Sequence, residues 1–353
     1  MIDRRAVIAG AAALAATSRV QAAPRPALVV GKSGRPGTFP TLTAAFDRAR
    51  TLGHPVHIRV EPGVYAEKLK LDIPGLHLSG AGPSSIVSFG AASGLTDPQG
   101  RKWGTGGSAT LTVTAPGVTL SNLTIRNSFD YLDNVRTRAV DGAQAVALSI
   151  ARGADRAIVR NCTIEGYQDT LYVQESCRAW FTGCTIGGNV DFIFGGATAL
   201  FEGCEIRSRF VPGAPVQGFV AAPSTPVEVP AGLIFRDCRL TREAGLPDDS
   251  VYLGRPWRAG GNMRLTGAAL FDGCWMESHI RRDGWTWMGY RDPDGIARQL
   301  TPAEARLFEH ASTGPGAGIA STTRTMLDRA YLRWFSREQA FGDWRPAQEM
   351  EKP

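Results

Sequence analysis

Two aspartates 22 residues apart offer the clearest chemistry in this sequence. Asp169 lies in GYQDTLY (166–172) and Asp191 in GNVDFIFGG (188–196). Asp191 sits between Val190 and Phe192, in a run that reads as a buried strand. An ionised carboxylate is costly there unless it is paired or hydrogen-bonded. Two close carboxylates push their pKa values apart, so one can hold a proton while the other stays ionised. Such a pair can supply a nucleophile and a general acid at neutral pH. Arg255, in YLGRPWR (252–258), offers the positive charge to keep one of them ionised. Gln168, and Gln144 in QAVAL (144–148), offer neutral N–H donors suited to an oxyanion at an acyl centre. By spacing alone, a stacked Asp pair also fits a solvated ladder or a Ca²⁺ site. Trp257, and the Trp285 and Trp287 of GWTWMGY (284–290), fit packing as readily as a sugar platform.

The two aspartates meet only if an offset of 22 is a structural period, and the cysteines supply that period. NCTI, GCTI, GCEI, DCRL and GCWM carry Cys162, Cys184, Cys204, Cys238 and Cys274, with steps of 22, 20, 34 and 36 residues. An earlier NLTI puts Leu123 in the cysteine's place. A unit of this length, β-rich and bounded by Gly, Asn or Asp, marks a solenoid of stacked coils. The expected fold is all-β, a parallel β-helix with short capping helices. The 20- and 22-residue steps are then single coils, and the longer ones are coils carrying loops, or pairs of coils. Residues one period apart lie on neighbouring strands about 4.8 Å apart, which brings Asp169 beside Asp191. The alternative is an all-β sandwich with coincidental repeats.

On this reading most cysteines fill the core. No C-x-x-C pair exists, and His54, His57, His77, His279 and His310 suggest no metal cluster. A Cys184–Cys204 disulfide is permitted between adjacent coils. Helices belong at the edges. One starts at Thr41 and stops at Gly53. Thr301-Pro302-Ala303-Glu304 reads as a capping box with proline at the first helical position. In the tail, Leu327, Tyr331, Leu332, Trp334 and Phe335 recur at helical spacing and suit either an edge cover or a helix along the solenoid's side.

The N-terminus, MIDRRAVIAGAAALAATSRVQAAP, has a charged start, a short apolar run and small residues near Ala22. The run is shorter than the roughly 20 residues a bilayer span needs, so residues 1–22 read as a secretory signal and 23–353 as a single domain. Arg4-Arg5 hints at twin-arginine export, and the expected location is periplasmic or secreted. The formal charge of +6 falls to about +4 once residues 1–22 are removed. No dense Lys/Arg run is interleaved with aromatics, so no nucleic-acid partner is expected, nor a membrane span. Monomer is the default. At 43% hydrophobic and 20% charged, the chain has a composition that suits a soluble globular protein with a sizeable core. It lacks a G-x-S-x-G elbow and an H-E-x-x-H motif, which disfavours a serine hydrolase or zinc protease.

Taken together, GVYAE (63–67), QAVAL, GYQDTLY, VDFIFG (190–195), LGRPW (253–257) and RLFEHASTGPGA (306–317) resemble the pectin methylesterase family. The likeness runs from about residue 27 to 345. It implies a right-handed parallel β-helix and an exported carbohydrate esterase acting on C6 methyl esters of polygalacturonate. By the same resemblance Asp191 is the nucleophile, Asp169 the general acid and then base, Gln168 and Gln144 the oxyanion donors, and Arg255 the partner of Asp191. Trp257, Tyr172, Phe194, Val190 and Met288 stand where the family lines its cleft. The implied partner is pectin, with no cofactor. The segment containing VQESCRAWF is about one residue longer than in common plant members, so stacking of Asp169 on Asp191 requires the extra residue to sit in a turn. Three other readings remain: an ester or acyl thioester hydrolase of the same fold, a pectate lyase needing a Ca²⁺ cluster, and a non-catalytic sugar-binding β-helix.

Overall fold

Each coil is three short strands separated by corners, and like strands of successive coils pair in parallel. The structure, a computed structural model, describes residues 28–53 and 56–350; residues 1–22, expected to be a secretory signal, lie outside them. Among the described residues, stacking yields three sheets of twelve, eight and seven strands, plus an antiparallel hairpin of Met288–Arg291 with Ala297–Leu300. The chain is a right-handed parallel β-helix, the hand expected of parallel crossovers.

The cysteine period is the coil itself. Thr163 pairs with Thr185, Thr185 with Glu205, Glu205 with Arg239 and Arg239 with Trp275, so every step between the five cysteines is one coil. The 34- and 36-residue steps are therefore coils carrying loops. Before each cysteine the chain turns through a left-handed residue, Asn161 (φ 51°), Gly183 (59°), Gly203 (58°), Asp237 (51°) or Gly273 (64°). Those are the residue types that adopt this conformation at low cost, which explains the Gly, Asn and Asp boundaries.

The permitted Cys184–Cys204 disulfide is not formed: all six cysteines are unpaired and buried. Cys184 Sγ donates to the Val159 carbonyl at 3.4 Å and Cys204 Sγ to that of Phe181 at 3.6 Å. In-register parallel strands hold side chains about 4.8 Å apart, whereas a disulfide draws the Cβ atoms to about 3.8 Å. The thiols instead line the interior beside a ladder of Phe181, Phe201, Phe235 and Phe271, whose rings stack at 4.7, 4.8 and 4.4 Å.

Helix α1 (Leu42–Arg50) begins as its sequence predicts, with Thr41 Oγ1 accepting from Ala44 N at 3.1 Å. It buries Leu42, Ala45, Phe46 and Ala49 in the main core near the N-terminal coils. The Thr301 capping box forms, but closes only one 3₁₀ turn, Pro302–Glu304. The tail settles between its two expectations: Phe335, Ala340, Phe341 and Trp344 pack on Ile158, Trp180, Leu200, Ile234 and Leu270, the outer face of the first sheet. It flanks the solenoid rather than covering an edge, because those strands alternate outward-facing apolar residues that need burial.

Candidate active site

Asp169 and Asp191 occupy the same corner, between the second and third sheets, on adjacent coils. Leu171 pairs with Ile193, and Asp169 N donates to the Val190 carbonyl at 3.0 Å. The offset of 22 is therefore a register, and the extra residue of the VQESCRAWF segment causes no slip. That coil turns at Ser176, which is left-handed (φ 64°). Both aspartates are themselves left-handed, at φ 62° and 49°. Asp tolerates that region better than bulkier residues, so the tight corner and the carboxylate are compatible. Gly188 permits the approach, since a Cβ there would lie 2.3 Å from Phe192 Cβ and 2.7 Å from Thr170 Oγ1.

Arg255 reaches Asp191 from two coils further on, following the strand Val251–Gly254. Its Nε donates to Oδ1 at 2.9 Å and a terminal nitrogen to Oδ2 at 2.7 Å, a bidentate grip. The guanidinium lies 3.9 Å over the Phe219 ring, which stacks on Tyr252 at 5.5 Å. Both aspartates are at most 9% exposed. Burial raises the Asp191 carboxyl above its ordinary value, and the hydrogen bonds and charge of Arg255 oppose that rise. Burial also raises Asp169, and the neighbouring Asp191 charge adds to it, so Asp169 stands well above the carboxylate range. The order follows: Asp191 ionises first, and Asp169 keeps its proton beside it.

Gln168 and Gln144 flank the pair. Ala145 N donates to the Gln168 carbonyl at 3.1 Å, placing Gln144 one coil before Gln168 at the same corner. Both residues are half-buried.

Four of the five expected lining residues gather on the third sheet's outer face. Tyr172 stacks on Phe194 at 4.3 Å, Phe194 meets Trp257 edge-on at 5.8 Å, and Met288 packs against the same cluster. Phe194 is only 2% exposed, so it forms the floor under its neighbours. The fifth, Val190, is half-buried next to Asp191. Trp285 is fully buried against Phe271, a core residue, whereas Trp287 is 49% exposed.

Two positioning groups escape a reading of the sequence. Asn127, buried, donates to the carbonyls of Ala91 (2.9 Å), Ser108 (3.2 Å) and Val146 (2.9 Å), knitting three segments beneath the cleft. Arg209 donates to the Gly166 carbonyl at 2.9 Å and lies 3.8 Å over Tyr167, which stacks on Tyr131 at 5.1 Å. Arg209 thereby braces the turn that carries Gln168 and Asp169. Asn127 follows the NLTI repeat, but a single Asn after a strand is too common to be a signal.

The whole chain has close known counterparts. The pectinesterase family model matches residues 27–323. Pectinesterase A of Dickeya dadantii is 35% identical over 351 residues, covering 94% of this chain and 95% of the relative. A pectin methylesterase from Erwinia chrysanthemi superimposes with a TM-score of 0.86 at 35% identity, over 90% of this chain and 97% of its own. One from Yersinia enterocolitica gives 0.84 at 36%, over 87% and 99%. With the site geometry and these matches in agreement, the chain belongs to the pectinesterase family.

Proposed function

We propose that this protein is a pectin methylesterase that hydrolyses C6 methyl esters of polygalacturonate to free carboxylate and methanol. The observation that carries the reading is the unequal treatment of two adjacent carboxyls, Asp191 gripped by Arg255 and Asp169 left to hold a proton. A solved pectin methylesterase in complex with a hexasaccharide shares 36% identity and a TM-score of 0.85, which supports an extended uronide as ligand.

In this mechanism an Asp191 oxygen attacks the ester carbonyl carbon, and the carbonyl π pair moves onto oxygen. The side-chain amides of Gln144 and Gln168 donate to that oxyanion. As the intermediate collapses, the C–O bond to the methoxy group breaks and Asp169 gives its proton to the leaving oxygen, releasing methanol. The product is an anhydride between Asp191 and the uronate. Asp169, now a carboxylate, takes a proton from water, which attacks the uronate carbonyl. Collapse frees the uronate and restores Asp191 to Arg255, with Asp169 protonated again. Tyr172, Trp257, Met288 and Val190 seat the sugars beside this pair, above the Phe194 floor.

A polymeric substrate meets its enzyme outside the cytoplasm, so we read the protein as exported, with residues 1–22 as a removable signal and 23–353 as one catalytic domain. The Arg4-Arg5 pair suggests the twin-arginine route. Among the described residues no helix is long and apolar enough to cross a membrane.

The test is methanol release from highly methylated pectin, run with and without EDTA, with Asp191→Ala as control. Methanol that survives EDTA and disappears in a folded Asp191→Ala protein is the expected result. No methanol from the correctly processed wild type would overturn the pectin reading and direct the same site to another ester or an acyl thioester.

A further inference from the structure

We infer that Lys68 and Trp103 form a remote subsite of the cleft for a free uronate carboxylate, about three coils from Asp169. The proposal rests on the pectin reading of the site and adds what the far end of the cleft would recognise.

The register places this end on the same surface as the catalytic pair. The outward positions of the third sheet run Lys70, Thr112, Ser149, Tyr172, Phe194, one per coil. Tyr172 and Phe194 are the aromatic part of the cleft already described, so Lys70 marks its continuation to the first coil. Lys68 precedes Lys70 by two residues, at the corner that four coils later carries Asp191. Three strand steps of about 4.8 Å put it roughly 15 Å from Asp169, a span of a few sugar rings. Helix α2 (Gly104–Gly107) fills the space between: a Cβ on Gly106 would lie 3.9 Å from Tyr172, and Trp103 caps the helix at its other side.

The Lys68 ammonium is built into this wall. Its Nζ lies 4.7 Å from the Trp103 ring centroid and 5.9 Å from that of Phe89, and it donates to the Ala109 carbonyl. Ala109 belongs to the floor cluster with Phe194. An ammonium carries three donors, so two remain for a ligand. Among the described residues no carboxylate pairs with it. Glu67, next to it, is turned away to cap helix α1 through Leu42 N and Thr43 N, and Asp72 is held by Arg50 at 3.0 Å. Burial lowers the ammonium to about 8, which leaves it charged at neutral pH. A half-desolvated cation without an anion is a cost that an incoming carboxylate offsets. The aromatic faces beside it suit the apolar face of a pyranose ring. Ester groups carry no charge, so this subsite distinguishes a demethylated sugar from a methylated one.

The experiment compares wild type, Lys68→Met and Lys68→Arg on galacturonan hexamers that are fully methylated or partly demethylated, with dimers as a second length. Wild-type methanol release from any of these establishes the reading on which the proposal rests. The expected result is a three- to fivefold fall in the ratio of kcat/KM on partly demethylated over fully methylated hexamer in Lys68→Met. Lys68→Arg restores the ratio, and dimers, too short to span three coils, show no such fall. If Lys68→Met fails to fold by thermal melting, Lys68→Gln is read in its place. An unchanged ratio in a folded, charge-removed variant that still releases methanol would overturn the subsite and leave the esterase intact. An equal loss on both hexamers would overturn it as well, by assigning Lys68 to packing.

Discussion

Asp191 takes both arms of Arg255, at 2.9 and 2.7 Å, while Asp169 on the preceding coil takes neither. The two carboxyls have the same chemistry, the same corner and the same left-handed backbone. What separates them is one guanidinium. In the proposed mechanism that difference makes Asp191 the nucleophile and Asp169 the acid.

Removing Arg255 leaves Asp191 buried without its cation. Breaking such a pair costs about 3 kcal/mol, and the carboxyl then rises further. Arg255→Ala should therefore shift the acid limb of the kcat/KM profile to higher pH and lower the plateau by about 10²-fold. Arg255→Lys, which keeps charge but loses the fork, should fall between. A pH–rate profile checks both, and an acid limb that stays in place would show that Arg255 does not set the ionisation of Asp191.

Asp169 makes a stability prediction of definite sign. Burial and the neighbouring Asp191 charge hold its folded pKa well above the ordinary carboxylate value. The folded state therefore binds the proton more tightly than the unfolded chain does. Its contribution is fully present below about pH 4 and is lost as pH rises toward the folded value. Asp169→Asn cannot ionise, so its melting temperature should exceed that of wild type near pH 8 and converge with it near pH 3. Activity should fall at least ~10²-fold. Melting curves across pH test this, and a parallel offset at every pH would contradict the raised value.

The cysteine ladder predicts thiol chemistry. All six thiols are free and buried, so a thiol reagent should titrate none in the native protein and six after denaturation without reductant. Four would indicate one disulfide in solution and overturn the free ladder.

Trp257 meets Phe194 edge-on in the aromatic wall of the cleft. Loss of a stacking surface of this kind is worth about 1.4 kcal/mol, so Trp257→Ala should raise KM on pectin roughly tenfold with a smaller change in kcat. Trp257→Phe should recover part of it. A lower melting temperature with KM unchanged would make Trp257 a packing residue only.

Much of the coil architecture was legible in the chain. The 22-residue offset shared by Asp169/Asp191 and Cys162/Cys184 is a true register. Thr41 opens α1 as a local capping signal should. Asn127 and Arg209 were not legible, because each acts on backbone carbonyls that only adjacent coils bring near. Whether Cys184 and Cys204 pair was left open by the sequence for a geometric reason: spacing states which residues are neighbours, not whether their Cβ atoms can approach within bonding reach.

A coil-to-coil offset can be read from sequence only while coils keep one length. Between Cys162 and Cys204 the steps are 22 and 20 residues, and there the sequence by itself determined the fold, the stacking of the carboxylates and their shared corner. Beyond Cys204 loops lengthen the steps to 34 and 36, and position along the chain no longer reports position in space. Arg255, 64 residues from Asp191, meets it because backbone pairing across two further coils returns it to the same corner. The ionisation order of the two aspartates was therefore decided by tertiary structure alone. Burial raises both carboxyls, and only the folded chain brings a guanidinium to one of them.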